Sequence, residues 1–181
     1  MADRTTLAFG EICVALEADT PIATAITDFV VPYFAAASDR APMATIRVDP
    51  AAPDLATPTA DSALIPIYRA STLSFCLTAQ RIAAPGEVLR VMRAHDNVGT
   101  VTLDRASATI TVRAISEENR IFLALRALRD LVYFEAQARG WTAMHASAVA
   151  LEGLGVVAIC GESGAGKTST CLLYTSDAAD E

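Results

Sequence analysis

The sequence predicts an α+β protein, with a mixed N-terminal domain built on an antiparallel sheet and the start of a second, α/β domain after it. Three observations predict this. Between residues 64 and 114, apolar and polar residues alternate in short runs, as they do in half-buried strands. The segments after Asp19 and after Ser116 instead repeat apolar residues at helical spacing. After residue 140, two apolar runs lead into a glycine-rich loop.

The composition is that of a folded protein. The chain has 181 residues, of which 52% are hydrophobic, and no low-complexity tract stands out. This is enough for one large domain or two small ones with buried cores. Charges or prolines break its apolar stretches well before ~18 residues, which predicts no transmembrane helix. Acidic residues in the N-terminal run argue against a secretory signal.

Charge and cysteine content narrow the classes of partner. With 14 basic and 21 acidic residues, the net charge is -7, so the chain has no electrostatic footprint for nucleic acid or an anionic membrane. Its four cysteines form neither a C-x-x-C pair nor a metal-ligand spacing. We therefore expect reduced core cysteines and a cytoplasmic protein.

The N-terminal residues predict one strand and one helix. Weak alternation over residues 7–16 indicates a single strand. Asp19 or Thr20 can cap the helix, and Pro21 suits its first position. Pro32 is expected to kink or end it. The apolar face of this helix is predicted to contain Ile22, Ile26, Phe29 and Val30.

A series of short strands follows. The three prolines of residues 49–62 predict a loop. Turns are expected at residues 95–97 and 104–107, because polar residues interrupt the alternation there. Strands are predicted at residues 44–48, 64–69, 72–82, 87–94, 100–105 and 108–114.

The second predicted helix begins after Ser116. Ser116 is a good cap, and Glu117 and Glu118 favour the positive end of the helix dipole. Gly140 is a plausible stop. Its apolar stripe is expected to contain Ile121, Leu125, Leu128 and Val132, widened by Phe122 and Leu131.

We place a domain boundary near residue 140. Residues 1–140 form an α+β domain whose role the sequence does not identify. After it, two apolar strands, 144–151 and 155–161, are expected to flank a turn at residues 152–154. We therefore predict that residues 141–170 form the first β-hairpin and the glycine-rich loop of a different unit.

The loop, GESGAGKT, fits the phosphate-loop pattern G-x-x-x-x-G-K-[ST] completely. Its glycines let backbone N–H groups approach an anion. Lys167 would place its charge on the β- and γ-phosphates of ATP, and the Thr168 hydroxyl is placed to ligate Mg²⁺. A buried strand at Val156–Cys160 and a helix starting near Lys167 are the expected context. The candidate phosphate-binding residues are Gly161, Glu162, Ser163, Gly164, Ala165, Gly166, Lys167, Thr168 and Ser169.

The stretch MHASAVALEGLGVVAICGESGAGKT resembles the corresponding part of HPr kinase/phosphorylase and its relatives. The Met144-His145 pair, the hairpin and the phosphate loop carry this resemblance. It implies a P-loop kinase that uses ATP and Mg²⁺ to phosphorylate a serine of a small carrier protein, and it makes a homo-oligomer an expectation. It also implies that His145 lies near the nucleotide as a catalytic positioning group. A histidine satisfied inside the sheet is the alternative, and Glu162 receives no catalytic role.

The end of the chain departs from that family. The family's catalytic acids lie on a strand beyond the first helix, whereas Asp177, Asp180 and Glu181 are too close to the loop to occupy one. Residues 171–181, CLLYTSDAADE, resemble the in-frame translation of a transposase adapter used in sequencing libraries. We therefore expect a kinase domain that is truncated after residue 170. Sequencing the source DNA across codon 170 tests this.

The 181-residue chain is accordingly expected to be catalytically inactive and prone to aggregate. Phosphoryl transfer needs groups that hold Mg²⁺ and orient the attacking hydroxyl. An unfinished domain would also expose apolar strand faces and edges. Magnesium-dependent turnover in an ATPase or kinase assay would contradict this expectation.

Two other functions fit the same loop. A transporter ATPase has a similar loop but reaches it soon after its N-terminus, whereas residues 1–140 come first here. A non-catalytic protein could use the loop to sense nucleotide, with its N-terminal domain as a binding or regulatory module. A downstream signature motif would indicate the transporter, and acids on the strand after the loop helix would indicate the kinase.

Overall fold

The structure, a computed structural model, has the mixed α+β architecture that the sequence predicts. The chain divides into two units, Met1–Glu135 and Ala136–Glu181. None of the helices in the described part of the chain combines the length and the apolar character that a membrane crossing requires. The structure describes residues 3–31, 33–36, 39–53, 64–68, 77–82, 87–93, 96–144, 146–151, 153, 155–162 and 164–177.

A tight hairpin opens the first unit. Strands β1 (Asp3–Phe9) and β2 (Ile12–Ala18) pair antiparallel, with Phe9 opposite Ile12. Gly10 occupies the first turn position with φ 58, a left-handed conformation that glycine adopts at no steric cost. The expectation of one continuous strand over residues 7–16 is therefore wrong, because the glycine reverses the chain in the middle of that run.

Helix α1 (Thr20–Val30) begins as the sequence predicts. The Asp19 side chain caps it by accepting a hydrogen bond from the Ile22 N–H, at 3.2 Å, and Pro21 lies in its first turn. Phe29, which was expected on the apolar face, is 65% exposed. Ala23 belongs to the buried stripe and rotates it away from Phe29. The buried residues of the helix are Ile22, Ala23, Ile26 and Val30, and Pro32 lies outside the described residues.

Replacing Asp19 with alanine is expected to lower the free energy of unfolding by ~1 kcal/mol, because it removes the acceptor for an otherwise unpaired N–H. Chemical denaturation monitored by circular dichroism measures the change. Asp28→Ala is the matched control, since Asp28 is exposed on the same helix away from the cap. Equal losses in the two variants would mean that the cap contributes nothing.

A mixed sheet forms the body of the first unit. The described residues contribute nine strands, in the order β3-β1-β2-β4-β9-β8-β7-β6-β5. The β2–β4 and β4–β9 pairs are parallel, and the other neighbours are antiparallel. The remaining strands are β3 (Ala35–Ala36), β4 (Ala44–Val48), β5 (Leu64–Tyr68), β6 (Leu77–Arg81), β7 (Glu87–Arg93), β8 (Asp96–Asp104) and β9 (Thr109–Ala114).

The expectation of an antiparallel sheet holds for most pairs and fails at its centre. The connection through α1 returns the chain so that β4 runs parallel to β2. Strand β9 then adds to β4, again parallel, after the excursion through β5 to β8. The parallel strands carry much of the core, because Leu16, Ile46 and Val112 are at most 3% exposed.

Strand β8 is longer than predicted. Asp96 and Asn97, which were expected in a turn, pair with Arg93 and Met92 of β7. His95 lies outside the described residues. The expected turn at residues 104–107 is confirmed, and the Asp104 carboxylate accepts hydrogen bonds there from the Ala106 N–H and the Ser107 hydroxyl.

Helix α2 (Glu117–Ala138) has both of its predicted ends. The Ser116 hydroxyl oxygen accepts a hydrogen bond from the Asn119 N–H at 3.2 Å. Gly140 has φ 80, and the N–H of Trp141 bonds the Ala136 carbonyl while that of Gly140 bonds the Gln137 carbonyl, which is the Schellman arrangement. The buried stripe differs from the prediction, since Ile121, Phe122, Leu125 and Leu131 are only half-buried. Its buried members are Leu123, Ala124, Leu128, Val132 and Ala136.

An ion pair joins the ends of β4 and β9. The Arg113 Nε and Nη2 atoms lie 2.8 and 2.7 Å from Asp49 Oδ2, and Asp49 Oδ1 accepts from the Ala51 N–H. That backbone hydrogen bond, followed by the Arg113 guanidinium, lowers the pKa of Asp49 below its ordinary value. The charged carboxylate is thus the form that the fold favours.

We expect Asp49→Asn to lose under ~1 kcal/mol of stability at neutral pH, since solvent screens a partly exposed pair. A lowered pKa in the folded state stabilises the protein above the unfolded pKa of ~3.9, and this contribution disappears as the pH falls through the folded value. The difference in the free energy of unfolding between wild type and Asp49→Asn should therefore become smaller below that pH. Urea unfolding across the acid range measures it, with Asp39→Asn as the exposed control. A constant gap would contradict the prediction.

Candidate functional site

A separate hairpin leads to the glycine-rich loop. Strands β10 (Ala146–Leu151) and β11 (Gly155–Cys160) form a two-stranded antiparallel sheet in the second unit. Gly153 and Gly155, with φ 73 and φ 86, turn the chain between them. Both predicted strands are confirmed in the described residues, and α3 (Lys167–Asp177) contacts both of them.

Strand β11 is exposed, although the sequence predicted a buried strand. Val156 and Val157 are 72% and 44% exposed, and Cys160 is exposed as well. Within the described residues only β10 pairs with β11, so its other edge and much of its surface have no cover. The expectation that apolar strand faces would be exposed is confirmed.

The loop adopts a conformation that its glycines make possible. Gly164 and Gly166 have φ 85 and φ 79, while Ala165 between them is outside the left-handed region. Alternation of right- and left-handed residues turns successive N–H groups toward one side and forms a concave anion site. A residue with a Cβ would pay roughly 1–2 kcal/mol at either glycine.

The loop is also closely folded on itself. The Ala165 N–H donates to the Glu162 carbonyl oxygen at 3.2 Å. A Cβ added at Gly161 would lie 3.1 Å from the Ala165 Cβ, which is tighter than ordinary van der Waals contact. A side chain at Gly161 would therefore be crowded, whereas an added Cβ at Gly164 or Gly166 would meet no atom within 4 Å.

Lys167 lies at the centre of this arrangement. Its side chain extends back across the loop, and Nζ donates to the carbonyl oxygens of Gly161 at 3.0 Å and Glu162 at 2.8 Å. The residue is only 8% exposed. An ammonium group has three N–H donors, so one donor is left for a further acceptor.

Helix α3 begins at the loop. Its first intrahelical hydrogen bond joins the Thr170 N–H to the Gly166 carbonyl oxygen at 2.9 Å. The N–H groups of Lys167, Thr168 and Ser169 are therefore the unpaired donors that every helix N-terminus presents. Thr168 and Ser169 are exposed, so the Thr168 hydroxyl can reach a metal ion from solvent.

The structure brings together most of the predicted site residues. Gly161, Glu162, Gly164, Ala165, Gly166 and Lys167–Ser169 form one continuous loop and helix start, whereas His145 and Ser163 lie outside the described residues. The sequence did not predict that the Thr170 hydroxyl donates to the Gly166 carbonyl oxygen, at 3.0 Å. In the part of the chain that the structure describes, no three His, Cys, Asp or Glu residues are grouped to hold a metal ion.

Comparison of the chain with protein-family models, with curated proteins and with solved structures finds no match.

Proposed function

We propose that residues 161–169 bind the phosphates of ATP together with Mg²⁺. The observation that carries this proposal is Lys167. It is the only lysine among the 14 lysine and arginine residues of the chain, and its side chain is buried inside the loop. Both of the loop acceptors that Lys167 Nζ contacts are neutral carbonyl oxygens, so a negatively charged ligand would balance its charge.

The chemistry of binding follows from the loop geometry. Phosphate oxygens would accept from Lys167 Nζ in place of, or beside, the two loop carbonyls, and hydrogen bonds between opposite charges are stronger than those to a neutral carbonyl. The N–H groups at Gly164 and Gly166 and at the start of α3 add further donors, whereas that of Ala165 is used within the loop. Mg²⁺ would take the Thr168 hydroxyl as one ligand and complete its octahedron with phosphate oxygens and water.

We further propose that the loop belongs to a kinase of the HPr kinase-like type, acting on a serine of a small carrier protein. The resemblance of residues 141–170 supports this. In that reaction the serine oxygen bonds to the γ-phosphorus, the bond from the γ-phosphorus to the β–γ bridging oxygen breaks, and ADP leaves. The serine proton passes to a base, and His145 is assigned a positioning role beside the nucleotide.

Amine labelling tests the binding proposal directly, because the chain has one lysine. An amine-reactive ester should modify Lys167 slowly, and magnesium–ATP should slow it at least tenfold further, as read by peptide mass spectrometry. ADP should also protect, whereas AMP should not, because Lys167 is expected to contact the β- and γ-phosphates. The N-terminal amine in the same sample is the control. Equal protection by ATP and AMP, or none, would contradict the proposal.

A further inference from the structure

A row of polar side chains crosses the sheet of the first unit. Strand register places Arg113 of β9 opposite Thr100 of β8, Thr100 opposite Arg90 of β7, and Arg90 opposite Gln80 of β6. Directly paired residues project from the same face of a sheet. Neighbouring strands lie ~4.8 Å apart, so the backbones of the two arginines are separated by about 10 Å. Thr100, which is 3% exposed, lies between them.

The two arginines differ in how their charges are balanced. Arg113 is paired with the Asp49 carboxylate, at 2.7 Å. Arg90 instead donates from Nη2 to the neutral Gln80 side-chain oxygen, at 2.7 Å. In the part of the chain that the structure describes, no carboxylate forms an ion pair with Arg90. In this row, a carboxylate balances the charge of the Arg113 guanidinium, whereas only a neutral side chain bonds the Arg90 guanidinium.

Arg90 also has a donor that no protein group uses. Its Nε atom is buried and has no hydrogen-bond partner. Burial of an unpaired polar group costs free energy, and the cost is larger for a charged group. The chain as a whole has a net charge of -7, so a half-buried, unbalanced positive charge on this face is not a general property of its surface.

We propose that this face of the sheet binds an oxyanion, a carboxylate or a phosphate, at Arg90. The Nε and Nη atoms of an arginine form a planar fork that matches two oxygens of either group. The Thr100 side chain projects from the same face, directly opposite Arg90. Arg113 projects from the same face two strands away, and its guanidinium is held by Asp49 on the β4 side of β9. This site lies in the first unit and does not depend on the proposed function of the phosphate loop.

Thermal unfolding with added succinate or inorganic phosphate tests the proposal, with chloride at equal ionic strength as the reference. At millimolar anion we expect Tm to rise by about 3 °C or more. Inorganic phosphate also suits the loop of residues 161–168, so its titration is repeated in Lys167→Met protein. A larger shift with succinate would indicate a carboxylate ligand, and a larger one with phosphate a phosphate. No shift with either anion beyond that of chloride would overturn the proposal.

Arg90→Met separates a ligand-binding role from a structural one. Without anion its Tm should be unchanged or raised, since an unbalanced charge is removed, and the anion-dependent shift should disappear. A structural Arg90 would instead lower Tm when replaced. Arg81→Met is the control, because Arg81 is exposed, pairs with Glu87 and projects from the other face of β6; it should keep the full shift.

A second variant covers the case in which Arg90→Met does not fold. Arg90→Lys retains the positive charge but lacks the planar fork and the Nε donor. We expect its anion-dependent shift to be less than half that of wild type. A full shift in Arg90→Lys, or in Arg90→Met, would overturn the proposal, because neither variant presents the fork on which it rests.

Discussion

Lys167→Met is expected to weaken the binding of magnesium–ATP by about 10- to 150-fold, because a hydrogen bond to a charged group contributes roughly 1.5–3 kcal/mol. Methionine keeps most of the volume of the lysine stem but loses the ammonium group. That group lies inside the loop, 3.0 and 2.8 Å from two loop carbonyl oxygens, where phosphate oxygens are proposed to bind. Isothermal titration with a non-hydrolysable ATP analogue and Mg²⁺ measures the effect.

The control must separate the lysine from the general loss of one positive charge. Arg129→Met serves this purpose, because the Arg129 side chain is 64% exposed and lies on α2, outside the loop. It should bind the analogue as wild type does. If Lys167→Met and Arg129→Met bind equally well, Lys167 does not contact phosphate and the binding proposal fails. Titration with AMP is a second measurement, and its weak affinity should be the same in both variants.

Local features of this fold were predictable because each depends on a few neighbouring residues. Asp19 and Ser116 cap their helices as expected, and Gly140 ends α2, since caps are decided by side chains within one turn. Gly10 carried a signal of the same kind that was missed, since an isolated glycine inside a strand pattern indicates an irregularity. Its positive φ divides the predicted strand into a hairpin.

The order of strands could not be predicted in the same way. Strand β9 pairs with β4, whose residues are far away in the sequence, and nothing in either alternation pattern specifies the partner. The parallel centre of the sheet follows from that long-range pairing. The buried stripe of α2 was displaced for a related reason: helical spacing gives an apolar arc, and the packing surface selects which part of it is buried.

The candidate site likewise has features that its local sequence predicts and features that depend on distant contacts. The motif fixed which residues form the loop, because its glycines must occupy φ values that other residues avoid. It did not indicate that Lys167 would contact the Gly161 and Glu162 carbonyls, since that depends on how tightly the loop closes. Nor could it give the exposure of β11, which depends on the strands beside it and not on its own apolar character.

Gly99→Ala is expected to lower the free energy of unfolding by ~3 kcal/mol or more, the upper part of the range for adding atoms to a filled space. A Cβ at Gly99 would lie 2.8 Å from the Cα and 2.9 Å from the Cβ of Ala114, and closer still to the Arg113 carbonyl oxygen. Most of these atoms belong to the β9 backbone, which cannot rotate away as a side chain can. The β7–β8 register also shifts beside Gly99, so β8 is already irregular there.

Gly140→Ala is the matched control. Gly140 has φ 80 and no atom within 4 Å of its added Cβ, so that variant carries only the cost of the left-handed conformation, ~1 kcal/mol. Gly99 has no such φ, and its variant carries only the steric cost. Urea unfolding of both proteins compares the two causes directly. If Gly99→Ala loses no more free energy of unfolding than Gly140→Ala, β8 and β9 do not approach each other closely at Gly99. The register that places Thr100 opposite Arg113 would then lose its support.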